Sequence, residues 1–434
     1  MSLIQTFEKF MSDKEAFDMF IVGPAGTGKT TSLKELLEHC LKEKIPAIAL
    51  AYTHKACTIL SNKLPEQTDI RTLHKFLRKR PGINTNATHI KQIATTVQFG
   101  EPEKVRVLFI DEFSMVGEND AMSLGELQDP DYTGTCETKI VYIGDVNQLP
   151  PVKGAFTLNP SGKYVHKLTK VYRQADGNSL IDTLSDLNIM INSGKTSKLK
   201  VHSTFKRGVD IIDLYCKDKE DKILLAYTNE QVQKLNENVV KILGDNKQRW
   251  VAQHRKVYTF KGDMPLDKVF YIDTFQDTIP LDSKYKTLEF LLGLPYLRFG
   301  IFEDDEGASY VFAYIFGHYT YKIKTEELAK AASDSNAKIE IEYKDKAAYW
   351  SGQNPHHPLA RQRAKAWREF LSVSESVMLV DYPYALTVHK SQGSTYKSVY
   401  LDNTDLKKNP DATMYLKLLY VGISRASDIV YMDS

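Results

Sequence analysis

The sequence predicts an α/β protein built on parallel sheets, with two insertions of a different character. In the first 150 residues, short apolar runs alternate with segments of helical spacing, and the runs end in polar or acidic loops. The same alternation returns from residue 374 onward. Strands buried on both faces form continuous apolar runs, and their carboxyl ends meet at one edge of a parallel sheet. We therefore look for functional residues where the strands end.

The composition is that of a folded protein with several domains. The chain has 434 residues, of which 42% are hydrophobic and 26% charged. No apolar stretch reaches the roughly 18 residues that span a bilayer, and the N-terminus shows no secretion signal. A net charge of +2 neither requires nor excludes a nucleic-acid partner. Four scattered cysteines predict no disulfide framework or zinc site, and we expect a cytoplasmic protein without membrane contact.

The first predicted strand and helix enclose a phosphate-binding loop. The apolar run "MFIVG" continues into "GPAGTGKT", which is the pattern G-x-x-x-x-G-K-T, and then into a helical segment. The glycines let backbone N–H groups face the phosphates, Lys29 reaches the β and γ phosphates, and Thr30 offers a hydroxyl to Mg²⁺. The predicted nucleotide-binding residues of this loop are Gly23, Pro24, Ala25, Gly26, Thr27, Gly28, Lys29, Thr30 and Thr31.

Two later strands end in residues that suit nucleotide hydrolysis. In "VLFIDEFS", Asp111 can hold Mg²⁺ through water and Glu112 can polarise an attacking water. In "YIGDVNQLPPV", Gln148 follows a strand end and could sense the γ phosphate. The alternative for this third motif is a simple turn formed by Asp-Val-Asn and Pro-Pro.

Two arginine-containing motifs lie beyond the first predicted sheet. They are "VYRQ", with Tyr172 and Arg173, and "YVGISRAS", with Arg425. A lone arginine is more often a surface residue, but two could reach the γ phosphate from a second domain and stabilise its charge. Tyr172 could stack on adenine.

Three fragments share Thr, His and Lys after a strand or at the start of a helix. These are "AYTHKACTIL", "TLHKFL" and "TVHKSQGST". Hydroxyl, imidazole and N–H groups suit contact with a phosphodiester backbone without reading its sequence. Each fragment alone is a weak signal.

Taken in order, the motifs resemble those of the superfamily 1 helicases. The series is GPAGTGKTT, AYTHKA, TLHKFL, FIDEFSM, YIGDVNQLPPV, VYRQ, AYTNEQVQKLN, ALTVHKSQGST and LLYVGISRA, and it spans residues 23–427. It looks most like the superfamily 1B branch, which includes the RecD-like and Dda-type enzymes. The order of the series is far more specific than any one motif.

The resemblance implies an α/β fold with two RecA-like P-loop NTPase domains and parallel sheets. Residues 1–77 and 105–167 would form domain 1A, and residues 168–248 and 374–434 domain 2A. A hairpin insertion at 78–104 would be domain 1B, which acts as a pin with Val97 or Phe99 at its apolar tip. A β-rich insertion at 249–373 would be domain 2B, with an SH3-like fold.

The resemblance also assigns roles to individual residues. Catalysis would fall to Lys29, Glu112 and Gln148 in domain 1A and to Arg173 and Arg425 in domain 2A. Thr30 and Asp111 would hold Mg²⁺, and the nucleotide would also contact Tyr172, Gln392 and Gly393. The predicted DNA-binding residues are Thr53, His54, Thr72, His74, Phe99, Asn229, Thr387, His389 and Lys390. Gln5 is the candidate for reading adenine, although it lies closer to the phosphate-binding loop than the family's glutamine motif.

The implied function is an ATP-dependent 5′-to-3′ DNA helicase that moves on single-stranded DNA. It would couple ATP hydrolysis to closure between the two RecA-like domains, and act as a monomer on single-stranded and tailed duplex DNA. Replication or recombination proteins are candidate partners. One alternative is a non-unwinding DNA-dependent ATPase or translocase subunit of a larger replication or recombination complex. Others are a clamp-loader-like switch, which would leave "TVHKSQGS" and "YVGISRA" without a role, and a single-strand binding protein whose grip ATP modulates.

Overall fold

The structure is a computed structural model of the 434-residue chain. It describes residues 2–52, 54–77, 79–83, 90–94, 107–128, 138–151, 158–170, 178–195, 197, 199–200, 202–244, 249–252, 269–275, 298–304, 309–316 and 377–434, and the single positions 330, 334, 362 and 365. The chain divides into two compact units. The first comprises Met1–Lys79, Thr95–Leu243 and Tyr384–Ser434, and the second comprises Arg80–Ala94 and Gly244–Pro383.

The amino-terminal part of the chain forms a six-stranded sheet in which every strand pair is parallel. Its strand order is β3-β2-β6-β7-β1-β8. The elements of this part, including the hairpin strands β4 and β5, are α1 Leu3–Ser12, β1 Asp18–Val22, α2 Lys29–Lys42, β2 Ala47–Ala51, α3 His54–Ser61, β3 Asp69–Thr72, α4 Leu73–Phe76, β4 Lys79–Ile83, β5 Ile90–Ala94, β6 Val107–Asp111, α5 Glu118–Glu126, β7 Lys139–Gly144 and β8 Val165–Lys167. We call this sheet with its flanking helices the first sheet domain.

Both faces of the first sheet are covered by apolar side chains. Alternate strand residues such as Val107 and Phe109 pack in one cluster with α1 and α2. The residues between them, such as Leu108 and Ile110, pack in a second cluster with Phe113 and α5. Burial on both faces explains why these strands are continuous apolar runs in the sequence.

The carboxyl-terminal part forms a second parallel sheet with the strand order β16-β10-β17-β18-β9. The elements from residue 180 onward are α6 Leu180–Ser193, β9 Phe205–Arg207, α7 Ile211–Lys217, β10 Lys222–Ala226, α8 Asn229–Leu243, β11 Arg249–Ala252, β12 Val269–Phe275, β13 Arg298–Asp304, β14 Ser309–Phe316, β15 Val377–Asp381, β16 Ala385–Thr387, β17 Tyr396–Leu401, α9 Asn403–Leu406, α10 Ala412–Ile423 and β18 Ala426–Met432. We call the second sheet, with α6 to α10, the second sheet domain. The predicted α/β fold with two parallel-sheet domains is confirmed.

The two insertions form β-structure of their own. Strands β11 to β15 close into a barrel, which agrees with the predicted β-rich insertion, and β4 pairs with β5 in a two-stranded sheet. The proposed pin residues Val97 and Phe99 lie outside the described residues.

One domain boundary differs from the sequence-based expectation. The predicted boundary at residue 374 places Val377–Asp381 in domain 2A, whereas this strand pairs with β11 and β14 of the barrel. A short apolar run has the same sequence signature in a barrel and in a parallel sheet, so the pattern could not separate the two. None of the helices in the described parts of the chain is long and apolar enough to cross a membrane.

Candidate active site

Three neighbouring strands of the first sheet bring the predicted nucleotide residues together. Strands β6, β7 and β1 are adjacent and parallel, so their carboxyl ends lie side by side. The phosphate-binding loop follows β1, Asp111 ends β6, and Gln148 lies four residues after the end of β7. The topology therefore assembles one site from motifs that are spread over residues 23–148.

The phosphate-binding loop leads directly into α2. Gly26 and Gly28 have φ angles of 82° and 85°, which lie in the left-handed region that glycine tolerates best. Lys29 is buried, and its Nζ donates hydrogen bonds to the carbonyl oxygens of Gly23 at 2.9 Å and Pro24 at 2.8 Å. The loop thus holds its own lysine over backbone oxygens, next to a helix N-terminus that favours anions.

The end of β1 is closely packed at the start of this loop. A Cβ atom on Gly23 would lie 2.6 Å from the carbonyl oxygen of Leu168, a backbone atom that cannot easily move. Only glycine fits here, which fixes the loop against the segment after β8.

Asp111 and Glu112 form a half-buried acidic pair at the end of β6. Glu112 has a φ angle of 53°, which is strained for a residue with a side chain and is found often at functional sites. Its N–H donates to Asp111 Oδ1 at 3.0 Å. Its Oε2 is buried and has no hydrogen-bond partner among the residues that the structure describes. A buried oxygen without a hydrogen-bond partner lowers the stability of the fold unless it binds a water or another donor, as a catalytic carboxylate does.

These residues fit a nucleotide that carries Mg²⁺. Thr30 is the second residue of α2, Asp111 contributes a buried carboxylate, and Glu112 contributes the unpaired oxygen. Mg²⁺ prefers oxygen ligands and commonly takes only one or two from protein, with the rest from phosphates and water. Bound there, it would neutralise negative charge on the phosphates.

Asp111→Asn is expected to stabilise the protein at pH 8 in metal-free buffer while abolishing ATP turnover. Burial, with a contribution from the charge of Glu112, raises the pKa of Asp111 from 3.8 to about 7. The folded state therefore keeps a proton that the unfolded state releases between about pH 4 and 7, and the free energy of unfolding falls as pH rises through this interval. Thermal unfolding at several pH values in metal-free buffer measures the change in stability, and steady-state ATP turnover with Mg²⁺ present measures the loss of activity. A variant that melts below the wild type at pH 8 would contradict the burial argument.

The segment after β7 is held by the second sheet domain. We call residues 145–148 the sensor loop, because Gln148 is the predicted phosphate sensor. Each of its four residues makes one hydrogen bond to that domain: Tyr420 Oη donates to Asp145 Oδ2 (2.6 Å), Lys417 Nζ to the Val146 carbonyl (3.2 Å), Asn147 Nδ2 to Asn188 Oδ1 (3.0 Å) and Gln392 Nε2 to Gln148 Oε1 (3.3 Å). The next residue, Leu149, is fully buried in the apolar core of the second sheet domain. The segment is therefore a docking element and more than the simple turn that the sequence also allowed.

Arg425 follows α10 and is buried within the second sheet domain. Its guanidinium donates to Ser424 Oγ at 2.8 Å, to the Val421 carbonyl at 3.2 Å and to the Ser394 carbonyl at 3.4 Å. Burial lowers the pKa of Arg425, and the negative charge of Glu112 is the largest influence in the opposite direction. The arginine and the acidic pair are thus within electrostatic reach of each other across the two sheet domains.

Several predicted DNA-binding residues share one edge of the second sheet. Strands β16 and β10 are neighbours, and the register pairs Thr387 with Ala226. Thr387 ends β16, and its hydroxyl accepts a hydrogen bond from the N–H of Lys390 at 3.3 Å. Asn229 is exposed at the start of α8, and Lys390 is exposed as well. Thr387 is buried, so Asn229 and Lys390 are the residues of this group that lie exposed at the edge.

His389 lies in the same loop and is half-buried. Its ring centroid is 6.3 Å from that of Tyr227, and burial lowers its pKa. Gly393, four residues further on, has a φ angle of 81°. The predicted contacts of Gln392 and Gly393 with nucleotide stay predictions.

Two predicted DNA-binding residues of the first sheet domain, Thr72 and His74, have partners inside that domain. Thr72 is buried and caps α4 by accepting from the N–H of Lys75. His74 Nε2 lies 3.4 Å from the Asp120 carboxylate, and its ring packs edge-on against Tyr52. Contact of these two residues with DNA stays a prediction.

Gln5, the adenine candidate, caps the first helix. Its Oε1 accepts from the N–H of Ser2 at 3.0 Å, and Ser2 Oγ accepts from the N–H of Gln5 at 3.2 Å. This reciprocal pair is a capping box, which gives Gln5 a structural role.

Some predicted site residues cannot be placed. Thr53, Phe99, Tyr172 and Arg173 lie outside the described residues, and of His54 the structure gives only its place as the first residue of α3. In the opposite direction, sequence reasoning missed Tyr420, Lys417 and Asn188. No motif or spacing in the sequence indicates that these side chains reach the first sheet domain.

Comparison with known proteins places this site in a family. Residues 4–209 match the model of an AAA domain, and residues 382–432 match the UvrD-like helicase C-terminal domain. Together the two models cover more than half of the chain.

The relatives in sequence differ widely in length. The chain is 26% identical to the ATP-dependent DNA helicase Dda of phage T4, over 95% of this chain and 93% of Dda. It is 26% identical to the RecBCD subunit RecD of Buchnera aphidicola, over 51% of this chain and 40% of RecD. An uncharacterized protein of Methanocaldococcus jannaschii is 21% identical over 95% of this chain, which spans 36% of that protein.

A solved structure shares the fold. Pif1 from Bacteroides, crystallised with single-stranded DNA, is 18% identical, with a TM-score of 0.51 over 100% of this chain and 92% of Pif1. At this identity the likeness shows the fold alone. With the ordered motifs, the matched domains and the shared fold in agreement, the chain belongs to the superfamily 1B helicases.

Proposed function

We propose that the chain is an ATP-dependent DNA helicase that moves 5′ to 3′ on single-stranded DNA. The observation that carries this proposal is the shared site. The phosphate-binding loop, the acidic pair and the sensor loop come from the first sheet domain, and Tyr420 and Arg425 come from the second. A nucleotide at such a site contacts both domains, so its hydrolysis can change how they meet.

Each catalytic residue has a role that follows from its position. Lys29 would bind the β and γ phosphates, and Thr30 and Asp111 would hold Mg²⁺. Glu112 orients the attacking water and accepts its proton, since its unpaired oxygen is buried in the site. Arg425 stabilises the negative charge that develops on the transferred phosphoryl group. Reaching that charge requires Arg425 to exchange part of its present hydrogen bonding for the phosphate.

The DNA strand would follow the edge of the second sheet at β16 and β10. There Asn229, Thr387, His389 and Lys390 offer amide, hydroxyl, imidazole and ammonium groups, which suit a phosphodiester backbone of any sequence. The relatives support this substrate, because Dda is named a DNA helicase and the Pif1 structure contains single-stranded DNA. Opening one base pair costs roughly 1 to 2 kcal/mol in stacking, a small demand for each ATP hydrolysed.

A DNA-dependent ATPase or translocase subunit that does not itself unwind is the second candidate. It is favoured by the similarity to RecD, which is a subunit of the RecBCD enzyme. Partner proteins, a monomeric state and a cytoplasmic location stay predictions.

Steady-state ATP turnover with and without single-stranded DNA, together with unwinding of a tailed duplex, tests the proposal. We expect DNA to raise turnover severalfold and unwinding to require ATP. Stimulated turnover without unwinding would favour the translocase subunit. Turnover that is indifferent to DNA would refute both candidates and favour a P-loop switch.

A further inference from the structure

Tyr420 links the phosphate-binding loop to the sensor loop through a single hydroxyl group. Tyr420 Oη accepts a hydrogen bond from the backbone N–H of Ala25 at 3.2 Å, and it donates one to Asp145 Oδ2 at 2.6 Å. Asn188 also hydrogen-bonds this hydroxyl. Tyr420 belongs to α10 of the second sheet domain and is fully buried. A side chain of one domain thus occupies a backbone donor of the other domain's nucleotide loop.

The donor that Tyr420 occupies belongs to the phosphate-binding loop. Backbone N–H groups of a G-x-x-x-x-G-K-T loop point at the phosphates of a bound nucleotide, and Ala25 is the third residue of that loop. One N–H carries one hydrogen and makes one strong hydrogen bond. A phosphate oxygen is charged, so its hydrogen bond with an N–H is roughly twice as strong as that of a neutral hydroxyl.

We propose that the Tyr420 hydroxyl competes with a nucleoside triphosphate for the Ala25 N–H and thereby positions the sensor loop according to nucleotide binding. The inference rests on the proposed function, because it requires ATP to bind this loop. When phosphate takes the N–H, the hydroxyl keeps Asp145 and Asn188 as partners, and the hydrogen-bonded network around it rearranges.

Because Tyr420 lies in α10, this rearrangement can affect two other parts of the site, Arg425 and the sensor loop. Arg425 lies five residues further along the chain, so movement of the end of α10 moves the arginine that we expect to contact phosphate. The sensor loop carries Gln148, which accepts from Gln392 in the loop that follows β16. Nucleotide binding at Ala25 is thereby connected with the strand edge where we expect DNA.

A purely structural role for the hydroxyl makes the opposite prediction for nucleotide affinity. If Tyr420 only supports the fold, removing its hydroxyl weakens the loop, and the affinity for nucleotide stays the same or falls. If the hydroxyl competes, its loss removes a bond that phosphate must otherwise break, and nucleotide binds more tightly. The sign of the change separates the two roles.

Tyr420→Phe is the direct test, with the dissociation constant of a fluorescent non-hydrolysable ATP analogue, measured with Mg²⁺, as the readout. We expect binding to tighten by about fivefold, because one net hydrogen bond contributes roughly 1 kcal/mol and 1.4 kcal/mol corresponds to tenfold. The kcat of DNA-stimulated turnover should fall, since Asp145 loses its donor. Tyr415→Phe is the matched control on α10: the Tyr415 hydroxyl donates to Asn403 at 2.8 Å within the second sheet domain, and its loss should leave analogue affinity unchanged.

An unchanged or weaker affinity in folded Tyr420→Phe, with Tyr415→Phe like the wild type, would overturn the competition. If thermal unfolding shows that Tyr420→Phe does not fold, a crystal structure of the wild type with the analogue and Mg²⁺ gives the second test. The distance from Tyr420 Oη to the Ala25 nitrogen, 3.2 Å here, should then exceed hydrogen-bonding distance, and an unbroken Tyr420–Ala25 hydrogen bond beside bound phosphate would overturn the inference. A wild-type protein that does not bind the analogue at all would instead overturn the proposed function.

Discussion

Lys29→Ala is expected to lower DNA-stimulated ATP turnover by about a thousandfold and to abolish unwinding. Removing one preorganised group that stabilises developing charge typically costs a hundred- to a thousandfold in rate. The Lys29 ammonium is buried beside the carbonyl oxygens of Gly23 and Pro24, at the point where the β and γ phosphates would lie. No other lysine lies in the 23–31 loop, so the loop itself has no second ammonium group for this role.

The same variant should keep most of its affinity for single-stranded DNA. The exposed residues proposed to contact DNA, Asn229 and Lys390, belong to the second sheet domain and Lys29 to the first. Lys34→Ala is the matched control, because Lys34 is exposed on the same helix and pairs with Glu38 at the surface, at 3.8 Å. Steady-state turnover and DNA binding by fluorescence anisotropy measure both properties. ATP turnover near the wild-type rate in Lys29→Ala would show that the nucleotide binds at a site other than the 23–31 loop.

Glu112→Gln should lower the rate of hydrolysis by about a hundred- to ten-thousandfold while the protein still binds ATP. General base catalysis contributes a factor of this size, and glutamine keeps the shape of the side chain without its basicity. The backbone strain at Glu112 and its unpaired buried oxygen both indicate a group held ready for another molecule. Because the defect is in the chemical step, kcat should fall much more than the affinity for ATP.

Single-turnover hydrolysis and binding of the fluorescent analogue separate these two effects. Glu118→Gln serves as the control, since Glu118 is an exposed acid at the start of α5, six residues away. Equal losses of affinity and rate would argue that Glu112 supports the loop structurally. Hydrolysis at the wild-type rate in Glu112→Gln would exclude Glu112 as the catalytic base.

Local sequence patterns were sufficient to predict the parallel sheets and the nucleotide loop. Runs such as "VLFID" are apolar throughout because both faces of the first sheet are covered, and the spacing of the glycines is set by the loop itself. Gln5 is predicted to read adenine, although Ser2 and Gln5 also have the spacing of a capping box, which is the contact that the structure shows.

The junction between the two sheet domains could not be predicted in this way. Ala25 and Tyr420 are 395 positions apart, and their contact depends on how two separate sheets dock. Lys417 and Asn188 are polar helix residues that resemble ordinary surface residues in sequence, yet both hold the sensor loop. Such contacts depend on tertiary structure, which no short motif encodes.

The most direct test of the helicase account is unwinding of two duplexes that differ only in the polarity of a single-stranded tail. We predict ATP-dependent unwinding of the 5′-tailed duplex and little of the 3′-tailed duplex, with Lys29→Ala inactive on both. Unwinding from the 3′ tail alone would contradict the proposed direction of movement. Absence of unwinding from either tail, with DNA-stimulated ATP turnover intact, would contradict the helicase account itself and favour a translocase subunit that acts with a partner.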